Sequence, residues 1–181
     1  ILRVICTLGI SMPSFVVASV LLVTLTGNNA LNLFPSIFDP SQGWRAYVLP
    51  CFALGFYPMC YTARQTRSAM LDSLSQEYIK TARAKGLREK VIIYSHAWRN
   101  ALIPIVTLVV GWFLGIFSGS VVIEQIFAIN GMGKVMIEAL KSSDNDLILL
   151  MQLFYVLIAL AGNLIIDIVY GLVDPRVRVN K

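Results

Sequence analysis

The sequence predicts an all-α integral membrane protein, because charged residues are scarce and four long stretches contain none of them. Only 14% of the 181 residues are charged, whereas a water-soluble globular domain carries about 25%. Hydrophobic residues make up 57% of the chain, and the mean hydropathy is +0.72. Lipid is the solvent that suits such a composition.

Each uncharged stretch is long enough for a helix to cross the hydrocarbon core, which takes about 17–25 apolar residues. The uncharged stretches, residues 4–38, 46–63, 100–123 and 147–166, predict membrane-spanning helices at residues 4–25, 46–66, 100–123 and 147–172. The second is the least regular, since it contains two prolines. The chain begins with Ile1 rather than Met, and we expect it to be a fragment whose N-terminal part is missing.

Lysine and arginine are distributed unevenly between the connections, which predicts the orientation of the spans. Eight of the 15 lie in residues 64–99 and three lie in the tail, residues 173–181, whereas segment 124–146 has four carboxylates and two lysines. Cytoplasmic loops concentrate Lys and Arg, so segment 67–99 and the tail are predicted to be cytoplasmic and segment 124–146 external. Basic clusters also occur in nucleic-acid-binding proteins. Topology already explains this one, and we predict no nucleic-acid partner.

The cytoplasmic segment 67–99 is too patterned to be a simple connector. Apolar residues recur in it at spacings of three and four, namely Leu71, Leu74, Tyr78 and Ala82. This pattern predicts a helix over residues 70–84, which Ser68 caps and Gly86 ends in the left-handed conformation. A second short helix is expected from Leu87 to about Trp98. Small residues in the last turns of the first helix would allow another surface to approach closely; the alternative is an amphipathic helix lying among lipid headgroups.

The same segment resembles the cytoplasmic signature of ATP-binding-cassette (ABC) importer permeases. Residues 78–87 read YIKTARAKGL and residues 96–104 read HAWRNALIP, as is typical of the branch that imports oligopeptides, dipeptides and nickel. The resemblance continues through VVIEQIF at 121–127 and NGMG at 130–133 to the closing DPR at 174–176. Lys80, Thr81 and the distance from Gly86 to Pro104 depart from the general signature but suit this branch. Its members usually have six spans, so two would be absent here.

The resemblance implies the type I fold of ABC importer permeases, in which a cytoplasmic coupling helix docks into a groove on an ATPase subunit. The residues that it assigns to this contact are Leu74, Tyr78, Lys80, Thr81, Ala82, Ala84 and Gly86. The implied partners are a second permease subunit, two cytoplasmic ATPase subunits, an extracytoplasmic substrate-binding protein and the lipid of the cell membrane. Peptides are the expected cargo, with chelated nickel as the alternative. The permease would need no cofactor and catalyse no reaction.

Two sets of residues in the predicted spans are candidates for helix packing or for the substrate path. Gly111, Gly115 and Gly119 recur every four residues in the third span, a spacing that permits close helix contact. The alternative is that they line the path of the substrate. Asp167 lies one turn after Asn163 near the inner end of the fourth span. We favour a polar packing site there, and the alternative is a proton relay in an ion- or proton-coupled carrier.

The remaining motifs predict no catalytic or metal site. Segment 131–134, GMGK, faintly resembles a phosphate-binding loop, but Ala128 and Val135 occupy positions where that motif needs Gly and Ser or Thr. We interpret it as an external turn before a short helix over residues 135–140. His96 is the single histidine, and the three cysteines lie in or beside apolar stretches, as buried packing residues do.

Overall fold

The computed structural model describes residues 2–26, 31 and 33–173, and all regular secondary structure in these ranges is helical. The predicted all-α class is confirmed, while the predicted tail after Val173 lies outside the described residues. The chain divides into two compact units, one made of Ile1–Cys60 and Leu114–Ala159, the other of Tyr61–Phe113 and Leu160–Lys181.

The predicted first span, 4–25, is not one helix but two. Helix α1 comprises Leu2–Ser11 and helix α2 comprises Ser14–Leu25, and the two are bent by 105° at the break. Pro13 causes this break, since it has no backbone N–H and disfavours helical backbone in the residue before it. The expectation of one continuous helix is therefore wrong here, and the pair forms either a broken span or a re-entrant loop.

Asp39 holds the turn that precedes the next helix. Its carboxylate caps a short 3₁₀ turn, Pro40–Gln42, by accepting the backbone N–H of Ser41 at 2.9 Å. Two hydrogen bonds lower the pKa of the Asp39 carboxyl: the one with the Ser41 hydroxyl has the larger effect, and the one with this N–H has the smaller. The cap therefore stabilises the folded protein at pH values above the pKa that this carboxyl has in the unfolded chain. The stabilisation is lost as the pH falls through the lower pKa of the folded state.

Helix α3, Arg45–Leu74, runs through both prolines and extends well beyond the predicted second span, 46–66. No proline or glycine follows Pro58 before Leu74, so nothing in the sequence stops the helix at the membrane boundary. Two predictions are corrected as a result. Ser68 lies inside α3 and caps nothing, and the helix predicted over residues 70–84 belongs to two elements, the end of α3 and helix α4, Glu77–Ala84.

The predicted third span, 100–123, ends earlier than expected. A helix runs without interruption over residues 89–115, as helix α5, Glu89–Val91, a π-helical turn, Ile92–Ala97, and helix α6, Trp98–Gly115. A 3₁₀ turn then leads to Gly119, whose φ of +70° takes the chain out of the helix. Three further helices follow: α7, Val121–Ile126, α8, Met132–Ser142, and α9, Asn145–Val173.

Among the described residues, two helices are long and apolar enough to cross a membrane, over residues 89–115 and 145–171, and the bent pair α1–α2 raises this to as many as three. The leucines of α9 show why lipid is required. Leu149, Leu160 and Leu164 are each more than 60% exposed, and burying one such side chain away from water stabilises by about 1.5–3 kcal/mol. The count of four spans stays a prediction.

The first unit has a buried apolar core that joins α2, α3 and α7. Its fully buried members are Ala18, Leu49, Ala53, Ile123 and Phe127. The segment before α3 is attached to this core by a hydrogen bond of 2.8 Å from the backbone N–H of Phe38 to the carbonyl of Phe127. Helix α7 is therefore fixed against the neighbouring helices of its unit.

Candidate functional site

Residues 70–97 of the second unit form a helical elbow that is closed by its own small core. Helix α4 packs on the π-helical turn, and four residues between them are almost fully buried: Ile79, Ala82, Ile92 and Ala97. Met70 and Leu74, at the end of α3, pack against this cluster. The elbow thus joins α3 to the helix over residues 89–115 through apolar contacts that a short connector would lack.

Gly86 ends α4 in the way that the sequence predicts. Its φ is +75°, in the left-handed region. The N–H of Gly86 donates to the carbonyl of Arg83 at 2.9 Å, and the N–H of Leu87 donates to that of Ala82 at 3.4 Å. These two bonds are the pair expected of a Schellman motif with glycine at the position after the helix cap. The left-handed stop is confirmed, and it sets the angle at which the chain leaves α4.

The structure separates the seven residues assigned to the ATPase contact into two groups. Ala82 is only 6% exposed and Leu74 is half-buried, because both pack into the core of the elbow. The expectation that Ala82 offers its backbone to another surface is therefore wrong. The other five are exposed, and together we call them the outer face of the elbow: Tyr78, Lys80, Thr81, Ala84 and Gly86.

The charges around the outer face are mainly positive. Residues 77–90 contain five basic and two acidic side chains. Both acidic ones are paired, Glu77 with Lys80 at 2.6 Å and Glu89 with Arg83 at 2.8 Å. All four of these side chains are at least half exposed, so each pair contributes at most about 1 kcal/mol. The outer face therefore combines small side chains with a positive surround that an acidic surface would complement.

The glycine stripe of the third span is only partly formed. A methyl group added at Gly111 or Gly115 would meet no atom within 4 Å, so these two glycines lie on an open side of α6. Gly119 does not continue the stripe, because it lies beyond the end of the helix. A methyl group there would lie 2.6 Å from Oε1 of Glu124. The prediction is therefore wrong for Gly119, which is a turn residue packed on a carboxylate.

Asn163 and Asp167 are both exposed on α9. Within the described residues, no hydrogen bond joins them to each other or to another helix. The polar packing site predicted at this position is therefore not formed among the described residues, and any partner for these side chains comes from outside them.

Glu124 has a structural role that the sequence did not predict: its carboxylate binds backbone N–H groups on both sides of the turn between α7 and α8. Its side chain is buried, with the residue 8% exposed. Oε2 accepts the backbone N–H of Lys134 at 2.8 Å, and Oε1 accepts that of Ser120 at 3.3 Å. Since Lys134 is in the first turn of α8, the carboxylate also lies at the positive end of that helix. Glu124 therefore ties α7 to the start of α8.

Close contacts with α7 explain the two glycines of the NGMG motif. A methyl group at Gly131 would lie 2.6 Å from Oε1 of Glu124, and one at Gly133 would lie 2.8 Å from the backbone of Val121. Both glycines are needed because α7 and α8 approach this closely. The helix expected over residues 135–140 is confirmed as part of α8, Met132–Ser142.

These features define an all-helical membrane protein in which a packed helical elbow precedes an apolar helix long enough to span a bilayer. The chain belongs to the family described as the inner membrane component of binding-protein-dependent transport systems, whose family model matches residues 1–179. The predicted family and membrane location are confirmed by this match.

Three curated relatives illustrate the similarity. The dipeptide transport system permease proteins DppB of Lactococcus lactis subsp. cremoris (strain MG1363) and of Bacillus subtilis (strain 168) are each 42% identical, over 94% and 96% of this chain. The oligopeptide transport system permease protein AppB of Bacillus subtilis (strain 168) is 37% identical over 94% of it. The chain spans about half the length of these relatives, between 55% and 56%.

Proposed function

We propose that this chain is part of the permease subunit of an ATP-driven importer, and that the subunit moves short peptides across the cytoplasmic membrane. The names of the relatives, dipeptide and oligopeptide permeases, support the cargo. The observation that carries the proposal is the elbow, a rigid helical unit with an exposed outer face and a buried inner face. Chelated nickel is the alternative cargo.

The elbow suits the transmission of force. Ile79 on α4 and Ile92 near the start of the helix over residues 89–115 are fully buried in one cluster, and the end of α3 packs against that cluster. A load applied at the outer face would therefore move those helices rather than deform the elbow, because packed interiors yield little. We infer that two ATPase subunits grip the outer faces of two permeases in the cytoplasm. Their closure would rock the membrane helices between inward-open and outward-open states.

Other surfaces suit the remaining proposed partners. The open side of α6 at Gly111 and Gly115 would let a helix of the second permease approach closely; the alternative is that this side lines the substrate path. Helix α8, held by Glu124, lies in the segment that the charge distribution predicts to be external. We propose that it faces the extracytoplasmic substrate-binding protein.

Measuring which energy source drives uptake tests this proposal directly. The full-length permease is reconstituted with its partner subunits in proteoliposomes that enclose ATP, and uptake of a labelled dipeptide is measured. We expect uptake to require ATP, to be abolished by vanadate and to persist in the presence of a protonophore. A labelled nickel chelate in the same vesicles decides between the two cargoes.

The opposite pattern would contradict the proposal. A proton-coupled carrier that uses Asp167 as its relay would ignore vanadate and stop when the protonophore is added. The variant Asp167→Asn is the matched control: it should retain ATP-driven uptake in an importer and lose all uptake in such a carrier.

A further inference from the structure

We propose that Ser73 is a positioning residue that transmits the movement of α4 to the membrane-spanning helix that starts at Glu89. This inference rests on the proposed coupling function of the elbow and identifies the side chain that makes the elbow act as one body. Ser73 lies in the last turn of α3 and is 7% exposed.

Two hydrogen bonds at Ser73 connect three elements. Its hydroxyl donates to the carbonyl of Ala97, at the end of the π-helical turn, over 3.0 Å. Its oxygen also lies 2.6 Å from the hydroxyl oxygen of Tyr78 on α4. A serine hydroxyl has a single hydrogen to donate. Since that hydrogen goes to Ala97, the Tyr78 hydroxyl is the donor of the second bond. The resulting relay runs from α4 through the end of α3 to the base of α6.

The Ser73 hydroxyl bonds to an irregular part of the helix over residues 89–115. The chain is π-helical over Ile92–Ala97 and returns to α-helix at Trp98. Single π-helical turns inside α-helices occur frequently at functional sites. The Ser73 bond is made to the last residue of that turn, at the junction between the elbow and α6. A shift of α4 would therefore reach α6 where its hydrogen-bond pattern changes.

The other contacts inside the elbow cannot replace these bonds. The apolar cluster around Ile79 and Ile92 resists compression, but apolar contact is non-directional and does not fix which atoms of α4 face which atoms of the base of α6. The ion pair between Arg83 and Glu89 is exposed, so solvent and salt weaken it. The Ser73 hydroxyl is buried, and its hydrogen bonds are directional and costly to leave half-made. It fixes the register of α4 against the base of α6.

The test is the number of peptides moved per ATP hydrolysed. Ser73→Ala is introduced into the full-length permease, assembled with its partners in proteoliposomes, and labelled dipeptide uptake and phosphate release are measured in the same vesicles. We expect the ratio to fall at least about five-fold, the factor that corresponds to the loss of the buried bond to Ala97 alone, because the variant also loses the bond to Tyr78; ATP hydrolysis should be retained. Ser73→Thr keeps the hydroxyl and should restore the ratio.

Two further variants separate transmission from simple stability. Ser75→Ala is the matched control, because Ser75 is exposed and its hydroxyl donates to the carbonyl of Asp72 in its own turn; its ratio should equal that of the unchanged protein. Tyr78→Phe removes the relay's first bond and leaves Ser73 bonded to Ala97. Because Tyr78 also lies on the outer face, the ratio is compared in complexes that contain the same amount of ATPase as the unchanged protein. This variant should lower the ratio there too, and it decides the matter if Ser73→Ala reduces the amount of assembled complex.

An unchanged ratio in the assembled Ser73→Ala and Tyr78→Phe complexes would overturn the inference and leave the proposed function intact. Absence of ATP-driven uptake by the unchanged protein would instead overturn the proposed function, and the inference with it. A lowered ratio that Ser73→Thr restores supports both.

Discussion

Replacing Gly86 by valine is expected to abolish ATP-driven uptake. Gly86 has a φ of +75°, and a methyl group added there would meet no atom within 4 Å. The cost of the substitution is therefore conformational: an ordinary L-residue loses about 1–2 kcal/mol in the left-handed region, and a β-branched one loses more. The chain would relieve this strain by leaving α4 at a different angle, which displaces the outer face.

A graded series at this position distinguishes backbone strain from the loss of a small side chain. Asparagine tolerates the left-handed conformation better than alanine, although it is larger. We therefore expect uptake to fall in the order Gly, Asn, Ala, Val, with either poor assembly or ATP hydrolysis that no longer drives transport at the end of the series. Gly55→Ala, on an open side of α3, is a control that should leave uptake unchanged. Uptake by Gly86→Val at the level of the unchanged protein would contradict the coupling role.

Glu124→Ala is expected to lower the stability of the permease by about 3 kcal/mol, because hydrogen bonds to charged groups contribute about 1.5–3 kcal/mol each. The substitution removes the acceptor of two backbone N–H groups, those of Ser120 and Lys134, and leaves an empty space beside Gly131. Both effects loosen α8 from α7. Thermal unfolding in detergent, followed by tryptophan fluorescence, measures the change.

Glu138→Ala is the matched control for Glu124. Glu138 is also a glutamate of the same segment, but it is exposed and lies 3.9 Å from the ammonium of Lys134. Its removal should change the unfolding midpoint little, since such pairs contribute about 0–1 kcal/mol. Equal midpoints for Glu124→Ala and Glu138→Ala would show that the buried carboxylate does not hold α7 and α8 together.

Features that depend on a few neighbouring residues were predictable from the sequence. The stop at Gly86 follows from a local rule, since glycine after a helical pattern favours the left-handed conformation, and the structure has it there. The helix expected over residues 135–140 is likewise present within α8. The scarcity of charged residues also predicted the membrane class, because an inference from composition requires no knowledge of which residues are in contact.

Features that depend on tertiary packing were not predictable. The apolar spacing placed Ala82 on one face of a helix, but only the fold of residues 92–97 over that face shows that it is covered. Nothing local indicates that Glu124 accepts a hydrogen bond from a residue ten positions later. The glycine spacing was misleading at Gly119, because a glycine inside a helix stripe and a glycine in a turn are identical in sequence.

Site-directed crosslinking tests the central claim, that the outer face of the elbow is the surface gripped by an ATPase. The cysteines of the permease, including Cys6, Cys51 and Cys60 of this chain, are first replaced by serine, because an exposed cysteine such as Cys51 would react. Single cysteines are then placed at Thr81 and Ala84 on the outer face, and at Ala82 in the elbow core as the buried control. Each variant is treated with a short photoreactive maleimide and the extent of labelling is measured, which should be low at the buried position 82.

On illumination of the assembled importer, we expect the variants at Thr81 and Ala84 to capture the ATPase subunit and the variant at Ala82 to capture none. Failure of both outer positions to capture a nucleotide-hydrolysing protein, in complexes that still contain the permease, would contradict the account. So would capture from Ala82 as efficient as capture from Thr81.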